Sequence, residues 1–195
     1  MNLPNKLTVA RLFITGIFVA TMSIDFPGKF TTSLILFLIA SITDYFDGAI
    51  ARKRGLITTF GKLMDPLADK VLMGAAFVLL SHEENINFPA WAVVVILTRE
   101  LLVTGLRLVA TSQGAVLAAD SLGKQKTILQ IATSIYFLLF LASTETPLAA
   151  LSAAFAVKAF SPQVFGTGLI VLTIAATVVS GVSYLWKNRK LLADS

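Results

Sequence analysis

Apolar residues run along the chain in six long stretches, which short polar connections separate. The stretches cover residues 7–24, 31–52, 60–81, 88–112, 126–143 and 164–186. A helix needs about 20 mostly apolar residues to cross a bilayer, and each stretch is close to that length. The third is the least apolar, because its uninterrupted run extends only from Val71 to Leu80. The pattern predicts an all-α, polytopic membrane protein with six transmembrane helices, in one domain that spans residues 1–195.

The cations divide the connections into two classes. Lysine and arginine concentrate in the first residues, between stretches two and three, between stretches four and five, and after stretch six. The remaining connections carry only Lys29 and Lys158 as cations, together with several carboxylates. Cytoplasmic connections are enriched in lysine and arginine, so both termini and the 52–62 connection are predicted to face the cytoplasm. The alanine-rich connection 144–163 is a candidate for a short interfacial helix on the outer side.

Composition narrows the range of possible functions. The chain is 56% hydrophobic and 14% charged, whereas a soluble domain is typically about 25% charged, so a location in the cell membrane is predicted. There is no cysteine and a single histidine, His82, which leaves oxygen-ligand metal chemistry and excludes thiolate sites. His82, Glu83 and Glu84 are interpreted as a solvated turn. The net charge is +5, but the cations follow the connections between the apolar stretches and form no continuous stripe. This distribution argues against a nucleic-acid partner.

The segment DYFDGAIARKRGLITTFGKLMDPLAD, from Asp44 to Asp69, places four carboxylates in this apolar chain. Asp44 and Asp47 are three residues apart, and Asp65 and Asp69 are four apart, so each pair shares a helix face. Carboxylates at bilayer depth are costly and usually functional. If the two stretches are antiparallel neighbours, the two pairs converge on one small volume, where they cannot all stay ionised without cations.

Two divalent ions would neutralise this cluster, and oxygen-only ligands suit Mg²⁺, Mn²⁺ or Ca²⁺. Two metals about 3.5–4 Å apart commonly stabilise both the attacking and the leaving oxygen in a displacement at phosphorus. Gly48 and Ala51 lie on the same helix surface and leave room for a ligand against the backbone. Arg52 lies on an adjacent face and can pair with a phosphate. The alternative is that the aspartates are solvated loop residues or pair with nearby cations, but two same-face pairs on adjacent stretches favour the metal site.

The spacing of these residues resembles a family signature. The pattern Asp44-x2-Asp47-Gly48-x2-Ala51-Arg52-x8-Gly61-x3-Asp65-x3-Asp69 matches the signature of the CDP-alcohol phosphatidyltransferases at every fixed position. The resemblance implies a six-helix membrane fold, usually a homodimer, with a site that opens to the cytoplasm. It also implies the reaction, in which a hydroxyl attacks the lipid-side phosphorus of CDP-diacylglycerol and CMP leaves.

The resemblance also implies roles for particular residues. Asp44, Asp47, Asp65 and Asp69 would hold two divalent cations, Mg²⁺ or Mn²⁺, and Asp69 would act as the general base. The residues expected around the CDP group are small, basic or hydroxyl-bearing positions of the motif and its surroundings: Gly48, Ala51, Arg52, Thr58 and Gly61.

Three further stretches, LPNKLTVARL, TRELLVTGLRLVA and GKQKTILQ, resemble the bacterial phosphatidylglycerophosphate synthases over nearly the whole chain. This resemblance implies that the acceptor alcohol is glycerol 3-phosphate and that Asn5 and Thr8 lie near the nucleotide. Other acceptors used in the family, namely inositol phosphate, serine or a lipid such as phosphatidylglycerol, are the alternatives.

The distribution of cations agrees with an acceptor that carries a phosphate. Arg107, Lys124 and Lys126 lie at the cytoplasmic end of the fourth and fifth stretches, and Arg99 is deeper, where it joins them or pairs with Glu100. An arginine inside a span is seldom idle, because its burial is costly. For the two lysines, an ordinary flanking position at the membrane surface is the competing interpretation.

Two other classes of protein remain as alternatives to an enzyme. A cation transporter would also use intramembrane carboxylates, but the aspartates cluster at one membrane face with no polar trail to the other, and no pair of matching halves contains broken spans. A purely structural membrane adaptor leaves the aspartates unexplained.

Overall fold

The computed structural model describes residues 3–54, 59–112, 117 and 121–189. In these ranges the chain forms helices joined by short connections and contains no strand, which confirms the all-α prediction for them. The helices are α1 (Leu3–Ser23), α2 (Lys29–Arg54), α3 (Thr59–His82), α4 (Ala90–Ser112), α5 (Ser121–Ala142), α6 (Ser152–Ala156) and α7 (Thr167–Lys187). Among the described residues, three helical stretches are long and apolar enough to cross a membrane: Lys6–Ser23, Ser121–Ala142 and Lys158–Lys187. The chain is therefore a helical protein with membrane-spanning character.

Each of the six long helices overlaps one predicted stretch. The weak third stretch forms α3, a helix of 24 residues, because the segment that carries Asp65 and Asp69 continues the apolar run as helix. The connection 144–163 is also helical in short pieces, as predicted. It contains a 3-10 turn (Leu148–Leu151), α6, a second 3-10 turn (Lys158–Phe160) and the start of a π-helical turn (Pro162–Gly166) that leads into α7.

Packing between the helices creates one main apolar core and a small second cluster, in which Val103 and Leu106 of α4 meet Tyr184 of α7. α1 packs against both α2 and α3, α5 packs against α2, α3 and α7, and α4 packs against α3 and α7. Aromatic side chains fill the centre, where the rings of Phe77 and Phe88 lie 5.4 Å apart and that of Phe137 lies 6.0 Å from Phe88. Trp91 and Trp186 are by contrast exposed on the outside of the bundle, as is usual for tryptophan at a membrane–water interface.

The alternation of the helices gives the bundle two ends. We call the end where α2 ends at Arg54 and α3 begins at Thr59 the motif end, and the opposite one the far end. At the far end, the Glu145 carboxylate accepts hydrogen bonds from the backbone N–H of Phe30 at 3.1 Å and of Thr31 at 2.9 Å. These N–H groups belong to the first turn of α2 and have no partner within the helix, so Glu145 ties the α5–α6 connection to α2.

Candidate active site

The four aspartates lie on two continuous helices at the motif end. Asp44 and Asp47 belong to α2, and Asp65 and Asp69 belong to α3. Their spacing within regular helix keeps each pair on one face. Their side chains lie outside the described part of the structure, so the convergence of the two pairs stays a prediction.

The residues predicted around the CDP group come from three helices. Asn5 lies on α1, Gly61 lies on α3, and α2 carries the remainder, which are Gly48, Ala51 and Arg52. Thr58 lies outside the described residues, as do the side chains of these five. Thr8 is described and is 1% exposed. Because α1 packs against both α2 and α3, Thr8 lies on a helix that contacts both helices of the aspartate motif.

Arg11 is a buried cation that was not predicted to belong to the site. It follows Thr8 by one helical turn, and its side chain is 1% exposed. It lies on α1, which contacts both helices that carry the aspartates. Burying an arginine is costly unless opposite charge is near, so Arg11 belongs among the candidate residues. Its position within an apolar stretch was the signal in the sequence.

The four cations predicted to bind the acceptor phosphate line a single cavity. Arg99 and Arg107 on α4 and Lys124 and Lys126 on α5 surround a volume of about 340 Å³. Lys70 on α3 joins them and was not predicted, although it directly follows the last aspartate of the motif. Among the described residues that line the cavity there are thus five cations.

A single carboxylate, Glu100, faces these cations from the described lining of the cavity. The Lys126 ammonium donates a hydrogen bond to Oε1 of Glu100, and Nη1 of Arg99 lies 3.3 Å from the same oxygen. The side chains of Lys126 and Glu100 are only 6% and 11% exposed. Lys126 is therefore a buried, paired lysine, in contrast to the flanking lysine of the competing interpretation. Since one carboxylate faces five cations, the described lining has an excess of positive charge that suits an anion.

Two hydrogen bonds hold side chains of this cavity in place, one between α4 and α7 and one within α5. The Arg107 Nε donates to the Tyr184 hydroxyl at 3.1 Å, and its guanidinium carbon lies 5.2 Å from the centre of the tyrosine ring. The Lys126 ammonium also donates to the Gln130 side-chain oxygen at 3.3 Å. Tyr184 and Gln130 were not predicted, because nothing in the sequence pattern links residue 184 to residue 107.

Comparison with known proteins agrees with the pattern of the site. Residues 1–179 match the family model of the CDP-alcohol phosphatidyltransferases. A Bacillus subtilis (strain 168) protein named CDP-diacylglycerol–glycerol-3-phosphate 3-phosphatidyltransferase is 42% identical over 206 residues, which cover 100% of this chain and 98% of the relative. A Rickettsia bellii protein of the same name is 38% identical, with 97% and 96% covered. A probable phosphatidylglycerophosphate synthase of Mycobacterium tuberculosis (strain H37Rv) is 37% identical, with 94% and 80% covered.

Proposed function

The chain belongs to the CDP-alcohol phosphatidyltransferase family, and on that premise we propose that it transfers the phosphatidyl group from CDP-diacylglycerol to glycerol 3-phosphate. The products are phosphatidylglycerophosphate and CMP, so the enzyme serves phospholipid biosynthesis. The observation that carries the choice of acceptor is the cavity in which Arg99, Arg107, Lys70, Lys124 and Lys126 surround a space for an anion. The names of the relatives support the same acceptor.

The transfer exchanges one phosphorus–oxygen bond for another. The free hydroxyl oxygen of glycerol 3-phosphate forms a bond to the lipid-side phosphorus, and the bond from that phosphorus to the CMP oxygen breaks. CMP leaves with the bonding electron pair. We assign Asp69 as the base that accepts the hydroxyl proton, because a positioned carboxylate within hydrogen-bond reach can take it in the transition state.

Members of the family use divalent cations, and the donor set of this chain fits them. The two same-face pairs of carboxylates offer oxygen ligands only, and the chain has no cysteine that would favour a softer metal. Asp44, Asp47, Asp65 and Asp69 would hold two ions, Mg²⁺ or Mn²⁺. When bound, the ions offset the negative charge that develops on the transferred phosphate. The small residues Gly48, Ala51 and Gly61 leave space for the nucleotide, and Asn5, Thr8, Arg52 and Thr58 supply its polar contacts.

The cations of the cavity have different tasks. Arg107 grips the phosphate of the acceptor, since a guanidinium offers two parallel N–H bonds that fix direction as well as position. Its hydrogen bond to Tyr184 fixes the side chain. Arg99 contacts the same phosphate and Lys124 supplies further positive charge, while Lys126, whose charge Glu100 offsets, forms part of the wall. Held in this way, the acceptor presents its hydroxyl to the phosphorus, which removes an entropic part of the barrier.

Six helices, α1 to α5 and α7, cross the cell membrane in this proposal. Both termini and the connection between α2 and α3 face the cytoplasm, where the cationic connections favour them, and the active site opens to the same side. α4 crosses despite Arg99, Glu100 and Arg107, because these side chains line the cavity between helices. The enzyme is a homodimer, as the family resemblance implies.

An acceptor panel tests the proposed function. Purified full-length protein in detergent–lipid micelles with CDP-diacylglycerol and Mg²⁺ is given glycerol 3-phosphate, inositol phosphate, serine or phosphatidylglycerol in parallel. We expect CMP release and a new lipid only with glycerol 3-phosphate, with a sample lacking acceptor as the control for hydrolysis. Turnover with another acceptor alone would overturn the acceptor assignment. No CMP release with any acceptor would overturn the proposed transferase.

A further inference from the structure

One face of α7 supports the cationic cavity although no residue of α7 was predicted to belong to the site. Thr177, Gly181 and Tyr184 follow the spacing of a single helix face. The Thr177 hydroxyl accepts a hydrogen bond from Gln130 at 3.4 Å, and Gln130 in turn contacts Lys126. Tyr184 accepts the hydrogen bond from Arg107 described above. Gly181 lies between these two contacts.

Gly181 lies directly against the side chain of Arg99. A Cβ atom added at Gly181 would lie 2.9 Å from Cγ of Arg99, 3.8 Å from its Nε and 3.9 Å from its Cδ. At the other end of the side chain, a Cβ at Gly123 on α5 would lie 3.9 Å from Nη2. Arg99 therefore runs from α4 between glycines of α7 and α5, and Nη1 reaches the Glu100 carboxylate at 3.3 Å.

A methyl group at position 181 would displace this arginine. Carbon atoms in contact lie about 3.5–4.0 Å apart, so a separation of 2.9 Å forces something to move. The atom concerned is Cγ, close to the α4 backbone, and rotating the far end of the arginine does not relieve the clash. Either Arg99 takes another rotamer or α4 and α7 separate. Both changes move the guanidinium within the cavity.

We propose that Gly181 is a positioning residue for the acceptor alcohol. It provides the space through which Arg99 passes and so sets where the guanidinium lies in the cavity. This inference rests on the proposed function, in which Arg99 contacts the phosphate of glycerol 3-phosphate. The competing role is general packing, in which Gly181 allows α7 to approach α4 closely. The two roles differ in one respect, because only the first acts through the side chain of Arg99.

Gly181→Ala is the test, with Gly168→Ala as its matched control. Gly168 lies on the same helix, and a Cβ there meets no atom within 4 Å. In full-length protein with each substrate varied in turn, Gly181→Ala is expected to raise KM for glycerol 3-phosphate about tenfold, the effect of losing a charge-assisted hydrogen bond. KM for CDP-diacylglycerol stays within about twofold of its original value, a change well below that of one lost hydrogen bond. Gly168→Ala leaves both constants unchanged. Equal changes in the two constants of Gly181→Ala would overturn the proposal.

A double-mutant cycle with Arg99→Ala separates the inference from the function on which it depends. Without the Arg99 stem, Gly181→Ala is expected to have no further effect on KM for glycerol 3-phosphate. The same loss in both backgrounds would overturn the positioning role and leave the function standing. So would a raised KM with Arg99→Ala but an unchanged KM with Gly181→Ala. If Arg99→Ala leaves this KM unchanged while the acceptor panel succeeds, Arg99 is no acceptor ligand and the inference falls with that assignment.

The cycle also covers a variant that folds poorly. If Gly181→Ala gives little monodisperse protein in detergent, removing the arginine stem removes the clash. Arg99→Ala with Gly181→Ala is then expected to recover the yield of Arg99→Ala alone. Failure to recover it would show that the methyl group clashes elsewhere, and would overturn the inference.

Discussion

Charged side chains occur at both ends of the bundle, but they are arranged in opposite ways. At the far end, Lys29 lies 2.9 Å from Asp25, whose side chain is 98% exposed, and Glu145 accepts N–H groups from the first turn of α2. At the motif end, Glu100 and Lys126 form a pair that is almost fully buried. That pair faces a cavity with further cations in its wall.

The size of a cavity does not separate these two ends. The far end holds a space of about 740 Å³ between the α1–α2 and α3–α4 connections, larger than the 340 Å³ of the cationic cavity. Its wall carries three carboxylates, Asp25, Glu83 and Glu84, against one lysine, Lys29, which pairs with Asp25, and His82 lies beside them. Exposed pairs of this kind contribute little to stability. At the motif end the buried Glu100–Lys126 pair is balanced, and the described lining of the same cavity adds the cations Arg99, Arg107, Lys70 and Lys124 but no second carboxylate. The sign of the excess therefore makes this cavity the better candidate for binding an anion.

The largest expected effect comes from the aspartates of the motif. Asp44→Asn, Asp47→Asn and Asp65→Asn each keep the shape of the side chain and remove a negative charge that binds metal. Each is expected to lower the rate of CMP release about a hundredfold or more, as loss of an electrostatic contact to a transition state does, and to raise the Mg²⁺ concentration needed. The measurement is turnover as a function of Mg²⁺ concentration.

Asp25→Asn is the matched control at the far end, since it makes the same chemical change on an exposed carboxylate. It is expected to leave turnover and its Mg²⁺ dependence unchanged. Near wild-type turnover of Asp44→Asn, Asp47→Asn or Asp65→Asn at ordinary Mg²⁺ would remove that residue from the proposed ligands.

Glu100→Gln is expected to have the next largest effect, mainly on stability. It leaves the buried Lys126 ammonium without its counter-charge, which is expected to lower the free energy of unfolding by about 3 kcal/mol. Neutralising both residues, as in Glu100→Gln with Lys126→Met, is expected to restore most of this lost stability. The measurement is unfolding in detergent, monitored by circular dichroism. If Glu100→Gln alone unfolds like the wild type, the conclusion that Glu100 and Lys126 form a buried, charged pair is wrong.

The same substitution at the far end, Glu145→Gln, is expected to have the smallest effect. It weakens the interaction of a carboxylate with the N-terminus of α2, which is worth about 0.3–1 kcal/mol. The thermal midpoint is therefore expected to fall by at most about 4 °C in a protein of this size, and both Michaelis constants stay unchanged. A raised KM for glycerol 3-phosphate would show that the two ends are coupled.

The fold could be predicted because apolar stretches of bilayer length indicate helices directly. The boundaries were less predictable. The fifth stretch was predicted from residue 126, whereas α5 begins at Ser121, since Gly123, Lys124 and Gln125 interrupt the apolar run without interrupting the helix. Helix formation needs backbone hydrogen bonds, which these polar residues also make.

The cationic cavity was partly predictable. Arg107 and Arg99 were found because charge inside an apolar stretch is unusual, and both line the cavity. Tyr184 and Gly181 were missed, because their contacts with α4 depend on how α7 packs, and no periodicity in the sequence encodes that. The side-chain arrangement of the aspartates and of the CDP residues stays a prediction.

Steady-state kinetics of Arg107→Ala with each substrate varied in turn tests the central claim most directly, namely that the cationic cavity holds the phosphate of glycerol 3-phosphate. We expect KM for glycerol 3-phosphate to rise about tenfold or more, as when a charge-assisted contact is lost, and turnover to fall because the hydroxyl is no longer aimed. KM for CDP-diacylglycerol should change far less. Arg107→Lys should recover only part of the loss, since lysine restores the charge without the two parallel N–H donors of the guanidinium. If Arg107→Ala leaves both constants near their wild-type values, Arg107 is a residue that only extends to the membrane surface, and the account of the cavity is wrong.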